Sequence, residues 1–139
     1  MKDYIKKEYL DFTNYHKNKI NLAIHVIAGI IYMSCLNLLC KEYLLPFYFL
    51  LLLFTFEDLK ITIFTILTII LGTSILKSYK LKTSFIVLFF FFHCFILPEI
   101  SHLMTQESVQ LNYDNISIDK FITNIVYFLP FSLKRYLSI

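Results

Sequence analysis

The 139-residue chain predicts an all-α, polytopic membrane helical bundle. Three observations lead there. Hydrophobic residues make up 58% of the chain and mean hydropathy is +0.65, whereas soluble domains use roughly 45–50% apolar residues. The excess is gathered into long uncharged runs, the pattern of segments that enter a bilayer. Lysines cluster at the ends of those runs, where they meet lipid head groups. The expectation is a single domain over 1–139, with about four membrane helices and interfacial helices at the N- and C-terminal ends.

Residues 3–16 alternate charge with Tyr4, Ile5, Tyr9, Phe12 and Tyr15, which suits an amphipathic helix at the interface. Residues 22–40 are uncharged apart from His25 and are nearly long enough to cross a bilayer core. Lys41-Glu42 breaks the run. Residues 43–56 form a short second run with Pro46 near its start, ended by Glu57, Asp58 and Lys60. Residues 61–76, rich in Ile and Thr, are the third. A basic turn with Lys77, Lys80 and Lys82 precedes the fourth, 84–98, in which Phe89 to Phe92 lead into His93. Residues 108–118 predict a loop. Asp119 is the expected cap of a last helix with Phe121, Ile122, Ile125, Val126 and Leu129 on its apolar face. Pro130 is expected to end or kink it.

Topology has two solutions. Four crossings return the chain after Pro98 to the side of the N-terminus, but set the basic turn 77–82 opposite the basic N-terminus, against the positive-inside tendency. Three crossings, with 43–56 interfacial or re-entrant, satisfy the charges but separate the histidines. The shared site is given more weight. Asn115-Ile-Ser117 is a glycosylation sequon whose occupancy would report the side its loop faces.

Net charge is +3, with no basic block dense enough for nucleic acid. Cys35, Cys40 and Cys94 lie in or beside apolar runs without metal-type spacing, so they are expected as buried reduced thiols. The charged first twenty-one residues do not have the form of a signal peptide. The ending Tyr-Leu-Ser-Ile has no retrieval or prenylation signal.

The four histidines carry the functional information. His16 and His25 bracket the start of the first apolar run, and His93 and His102 lie in and just after the last. An ionisable residue at membrane depth faces the bundle interior or a watery cavity. Neutral imidazole is a good ligand for iron, zinc or copper, and three such ligands leave positions open for substrate and oxygen. His16 and His25 are nine residues apart. On one straight helix they would point about 900° around and about 13 Å apart, so a shared metal requires a turn between them. Asn18 and Asn21 supply that turn. Glu99 and His102, at i and i+3, share one helix face. The same residues admit a plainer reading: hydrogen-bonded structural histidines, Glu99 and Glu107 as interfacial charges, Asn21 as a helix cap, and lysines as solvated anchors.

Tyr15-His16-Lys17-Asn18-Lys19-Ile20-Asn21-Leu22-Ala23-Ile24-His25 resembles the N-terminal signature of the endoplasmic-reticulum 2-hydroxy fatty acid dioxygenases, the family named for metabolism of phytosphingosine to odd-numbered fatty acids. Ser101-His102 followed by Glu107 resembles its second motif. The resemblance spans most of the chain as motif, hydrophobic hairpins, motif. Lys19 stands where the family usually has Pro, no Pro follows Ala28-Gly29-Ile30-Ile31, Pro98 stands where Gln is common, and Ser101 replaces Gly.

The resemblance implies an integral membrane enzyme of the endoplasmic reticulum. It would use Fe(II) and O2 to shorten 2-hydroxy fatty acids by one carbon, in fatty-acid α-oxidation and phytosphingosine breakdown. His16, His25 and His102 would be the metal ligands and catalytic residues. Asn21, Glu99, Glu107 and His93 are candidates to orient a ligand or complete the shell, and Lys17 or Lys19 to attract the substrate carboxylate. Two rivals stay open: a bis-histidine haem protein using His25 and His93, and a non-enzymatic small membrane protein. A member that keeps the fold without the activity is a further possibility.

Overall fold

The structure is a computed structural model that describes residues 2–109 and 117–139. Asn115 of the sequon and most of the loop expected at 108–118 lie outside the described residues. Among the described residues there are helices and no strands: α1 Asp3–Tyr15, α2 Lys19–Leu39, α3 Leu44–Thr55, α4 Leu59–Ser78, α5 Thr83–Thr105 and α6 Ile118–Ser138. The protein is an all-α membrane helical bundle. Helices α2, α4 and α5 are long and apolar enough to cross a membrane. The run expected at 43–56 forms the shorter α3, whose 12 residues span about 18 Å against a hydrocarbon core of about 30 Å.

Short side-chain oxygens start three of the helices. Asn18 Oδ1 accepts from the main-chain N–H groups of Ile20 at 2.8 Å and Asn21 at 3.3 Å, capping α2. Asp58 caps α4 through Ile61 N at 3.1 Å. Each satisfies main-chain donors that have no partner within the helix. The last helix is capped by Ser117, which accepts from Lys120 N at 3.2 Å, and not by Asp119. Ser117 stands one residue before the first helical turn, where its oxygen reaches a free N–H, whereas Asp119 already lies inside that turn. Pro130 does not end the helix, which continues to Ser138 with the Pro130 ring buried.

Pro98 is likewise inside a helix. A proline ring conflicts with the carbonyl four residues earlier, here that of Cys94. The helix widens there into a π-turn over Phe92–Ile96, with Leu97 N bonded to Phe92 O. This change of register carries the helix from an exposed apolar stretch into one whose Pro98, Ser101 and His102 are buried.

Contacts between helices give their directions. Ser101 lies against His25 and Phe90 against Tyr32, so α5 is antiparallel to α2. Ser34 Oγ reaches Ile69 O at 3.4 Å and Asn37 Nδ2 donates to Thr73 Oγ1 at 3.2 Å, so α4 is parallel to α2. Helix α3 is the return stroke between them. Passes that alternate in direction bring His102 back to the end that holds His16 and His25. The turns around Lys41 and Lys80 lie at the opposite end, where Lys77 pairs with Glu42.

The chain has two glycines, and both lie in helices. A Cβ on Gly29 would meet Leu129 Cβ at 3.0 Å and Leu129 Cα at 3.3 Å, so α6 docks closely on α2 there. A Cβ on Gly72 would lie 2.3 Å from Ser34 Oγ, which marks the close approach of α4 to α2. The tight turns are left to Lys41, Glu42, Glu57, Lys80 and Gln106, all at positive φ. At the histidine end, Phe12 of α1, Phe56 and Phe131 of α6 form an aromatic core. Burying such a ring from water stabilises by about 1.5–3 kcal/mol.

Candidate metal centre

Helix α1 ends at Tyr15, and His16 adopts an extended backbone (φ −126°, ψ 81°) that turns the chain into α2. The turn required between His16 and His25 is therefore present, with Asn18 at its exit; Asn21, also expected in it, lies instead within the first turn of α2. It places His16 over the first turns of α2, where His25 projects two turns in. His102 arrives on α5 just before Gln106, whose left-handed backbone (φ 57°) closes that helix. Glu107 N then bonds back to His102 O at 3.1 Å.

The three imidazoles form a triangle with ring centroids 4.6, 4.8 and 5.0 Å apart. All three are buried, and their ligand atoms lie within 4.8 Å of one another. Among the described residues they are the one group of His, Cys, Asp or Glu so placed.

Hydrogen bonding decides what this triangle can do. His16 Nδ1 lies 2.7 Å from Phe12 O and His25 Nδ1 lies 2.9 Å from Asn21 O. A carbonyl can only accept, so in each ring Nδ1 carries the hydrogen and Nε2 carries a lone pair. Those two Nε2 atoms face each other at 3.0 Å. Two lone pairs at that distance repel unless a cation lies between them. Two imidazole nitrogens that ligate one ion would turn their lone pairs towards a common point in this way. The donor set therefore fits a metal ion. Burial holds the His16 imidazole down at about 4, so it is neutral and able to ligate near pH 7.

Other side chains hold the triangle in place. Phe12 stacks on His16 at 3.8 Å between centroids, and Phe128 of α6 stacks on His25 at 4.9 Å. Arg135 Nε donates to His16 O at 3.1 Å. Glu107 Oε1 accepts from Lys17 N and Asn18 N at 2.7 Å each, and its Oε2 accepts from Asn21 Nδ2 at 2.6 Å. Burial alone would raise the Glu107 carboxyl, but these three donors outweigh it and hold it below its ordinary value. Asn21 Nδ2 also makes a long 3.4 Å contact with His102 Nδ1. Ser101, wholly buried, sits between Asn21 and His25.

A cavity of about 60 Å³ opens beside His16, His25 and His102, walled by Phe95, Phe121, Ile125 and Phe128, with Glu99 and Val109 also on its lining. Of the residues singled out in the sequence, His16, His25, His102, Asn21 and Glu107 come together, and Glu99 lines the cavity. His93 does not join them: its Nδ1 bonds Phe89 O at 2.8 Å and its ring packs edge-on against Phe89 and Phe92. The His25–His93 pair needed for haem is not assembled. Lys17 is exposed and Lys19 Nζ lies 5.6 Å over the Tyr136 ring, and neither lines the cavity.

Phe12, Phe128 and Arg135 were not legible as site residues, and Ser101 was legible only as the neighbour of His102 in the second motif. Ser101 had one available signal, a hydroxyl next to a histidine in an apolar stretch. Phe128 and Arg135 reach the site only through the docking of α6, which no local pattern announces.

Fold and site together define a class: a membrane helical bundle with a buried cluster of three histidines at one end. No protein-family model, curated protein or solved structure matches the chain.

Proposed function

We propose that this protein is a non-haem Fe(II) dioxygenase that cleaves 2-hydroxy fatty acids to products one carbon shorter. It would act as an integral protein of the endoplasmic-reticulum membrane, in fatty-acid α-oxidation and phytosphingosine breakdown. The observation that carries the metal is the 3.0 Å approach of two lone-pair nitrogens, His16 Nε2 and His25 Nε2, whose Nδ1 atoms are both committed to main-chain carbonyls. The resemblance of the two histidine motifs supplies the metal's identity and the substrate class.

His16, His25 and His102 would hold Fe(II). When bound, the ion would supply Lewis acidity towards the substrate's oxygens and the redox chemistry that dioxygen needs. The aromatic wall of Phe95, Phe121 and Phe128 would give the reacting carbons an apolar surrounding on that side. At about 60 Å³, the cavity takes the hydroxy-carboxylate head, and the acyl tail lies outside it along the apolar helices. The overall reaction balances without an outside reductant: one 2-hydroxy acid and one O2 give the acid one carbon shorter, carbon dioxide and water.

The test is direct. Protein purified in detergent is loaded anaerobically with Fe(II) and given 2-hydroxypalmitate and O2, with His25→Ala alongside. A product one carbon shorter from wild type only is the expected result. Tightly bound non-haem iron without product would mean another substrate, and no iron at all would favour a non-enzymatic membrane protein. A Soret band on purification would mean haem.

A further inference from the structure

Ser101 is fully buried, and its hydroxyl touches three groups: Asn21 Oδ1 at 2.5 Å, Pro98 O at 2.7 Å and His25 Nδ1 at 3.1 Å. A hydroxyl has one proton to give, so its direction must be set by its surroundings. Glu107 sets it. An ionised carboxylate only accepts, so the group of Asn21 that lies 2.6 Å from Glu107 Oε2 is the amide nitrogen. That orientation turns Asn21 Oδ1 towards Ser101. The Ser101 proton goes to this nearer acceptor, leaving an oxygen lone pair facing His25 Nδ1–H. The imidazole hydrogen is then shared between Ser101 Oγ and Asn21 O, and the His25 Nε2 lone pair is left facing His16.

We propose that Ser101 is a positioning residue that relays the Glu107 carboxylate through Asn21 to His25, raising the ligand strength of a ring whose tautomer Asn21 O already sets. Histidine ligands depend on a partner at the second ring nitrogen. Here Asn21 O is one partner, and the second is a hydroxyl ordered by a carboxylate that does not itself touch the ring. Polarisation passes along such a chain of hydrogen bonds. The consequence for metal binding rests on the three-histidine reading given above; the hydrogen-bond relay itself does not require a metal.

The experiment has two arms. In the first, the metal-free protein carries 15N-labelled histidine, and the His25 Nδ1–H resonance is followed in detergent micelles. Ser101→Ala should move that resonance upfield. Glu107→Gln should move it the same way without touching the ring, because the Asn21 amide is then free to flip. In the second arm, Co(II) is titrated as a spectroscopic probe. Ser101→Ala should weaken it about tenfold with altered visible bands, and Ser101→Thr, which keeps the hydroxyl, should restore both. Helicity by circular dichroism checks that each variant folds. A His25 resonance unmoved by Glu107→Gln, or Co(II) binding by Ser101→Ala with unchanged affinity and spectrum, overturns the relay. Failure of wild type to bind Co(II) would count against the metal centre, and the first arm would still decide the relay.

Discussion

His16 and His25 present bare Nε2 atoms to each other at 3.0 Å, from opposite sides of the Asn18 turn. In a neutral protein this pair is a repulsive contact, held by Phe12 O and Asn21 O behind the two rings. A cation held by His16 and His25 would relieve that repulsion.

Metal retention should therefore depend on three histidines and not on the fourth. His16→Ala, His25→Ala and His102→Ala should each lose tightly bound metal, measured by elemental analysis after dialysis. His93→Ala should keep it, since His93 bonds only to its own helix within the described contacts. Loss of metal in His93→Ala with retention in His102→Ala would reverse the assignment.

Binding to a site present only in the folded state raises stability. Adding Co(II) or Zn(II) at 100 times its Kd should stabilise wild type by about 2.7 kcal/mol, read as a higher melting temperature in detergent. His25→Ala should show no such rise. An equal rise in both proteins would place the metal elsewhere.

Gly29 sets the docking of α6, which carries Phe128 onto His25. Gly29→Ala places a methyl 3.0 Å from Leu129 Cβ and 3.3 Å from its Cα, and the backbone atom cannot rotate away. We expect a loss of about 1–3 kcal/mol together with weaker metal binding. Gly29→Ala that melts like wild type would show that α6 has room to shift.

Asp58 joins two elements, capping α4 and pairing with Lys134 of α6 at 2.5 Å. Burial raises its carboxyl, but the Lys134 hydrogen bond and the Ile61 N–H outweigh this and set it below its ordinary value. A folded-state value below the unfolded one gives stability that is complete above the unfolded value and lost as pH falls through the folded one. The difference in melting temperature between wild type and Asp58→Ala should be constant near neutrality. It should reflect about 1 kcal/mol from the cap, and shrink as pH falls below about 4. A gap that widens in acid would contradict the pairing.

Much of this protein was legible locally. Run lengths and the lysines between them predicted the helical bundle, and Asn18 predicted the turn between the two histidines. The runs after Pro98 and Pro130 were less legible. Proline argues for a helix boundary, yet α5 absorbs Pro98 with a π-turn and α6 carries Pro130 in its interior. Packing supplied what the local rule could not, since a buried helix surface compensates a lost main-chain bond.

The sequence by itself determined the helices, their apolar lengths and the position of each histidine along them, because these follow from the residue period and from local caps. Tertiary structure alone decided which histidines meet. Glu107 reaches Lys17 across ninety residues of chain, His93 is left out although it lies only nine residues before His102, and Phe128 and Arg135 arrive from a helix with no motif of its own. The reason is geometric. A metal-sized triangle is set to tenths of an ångström by how α1, α2, α5 and α6 dock, and docking depends on surfaces far apart in the chain.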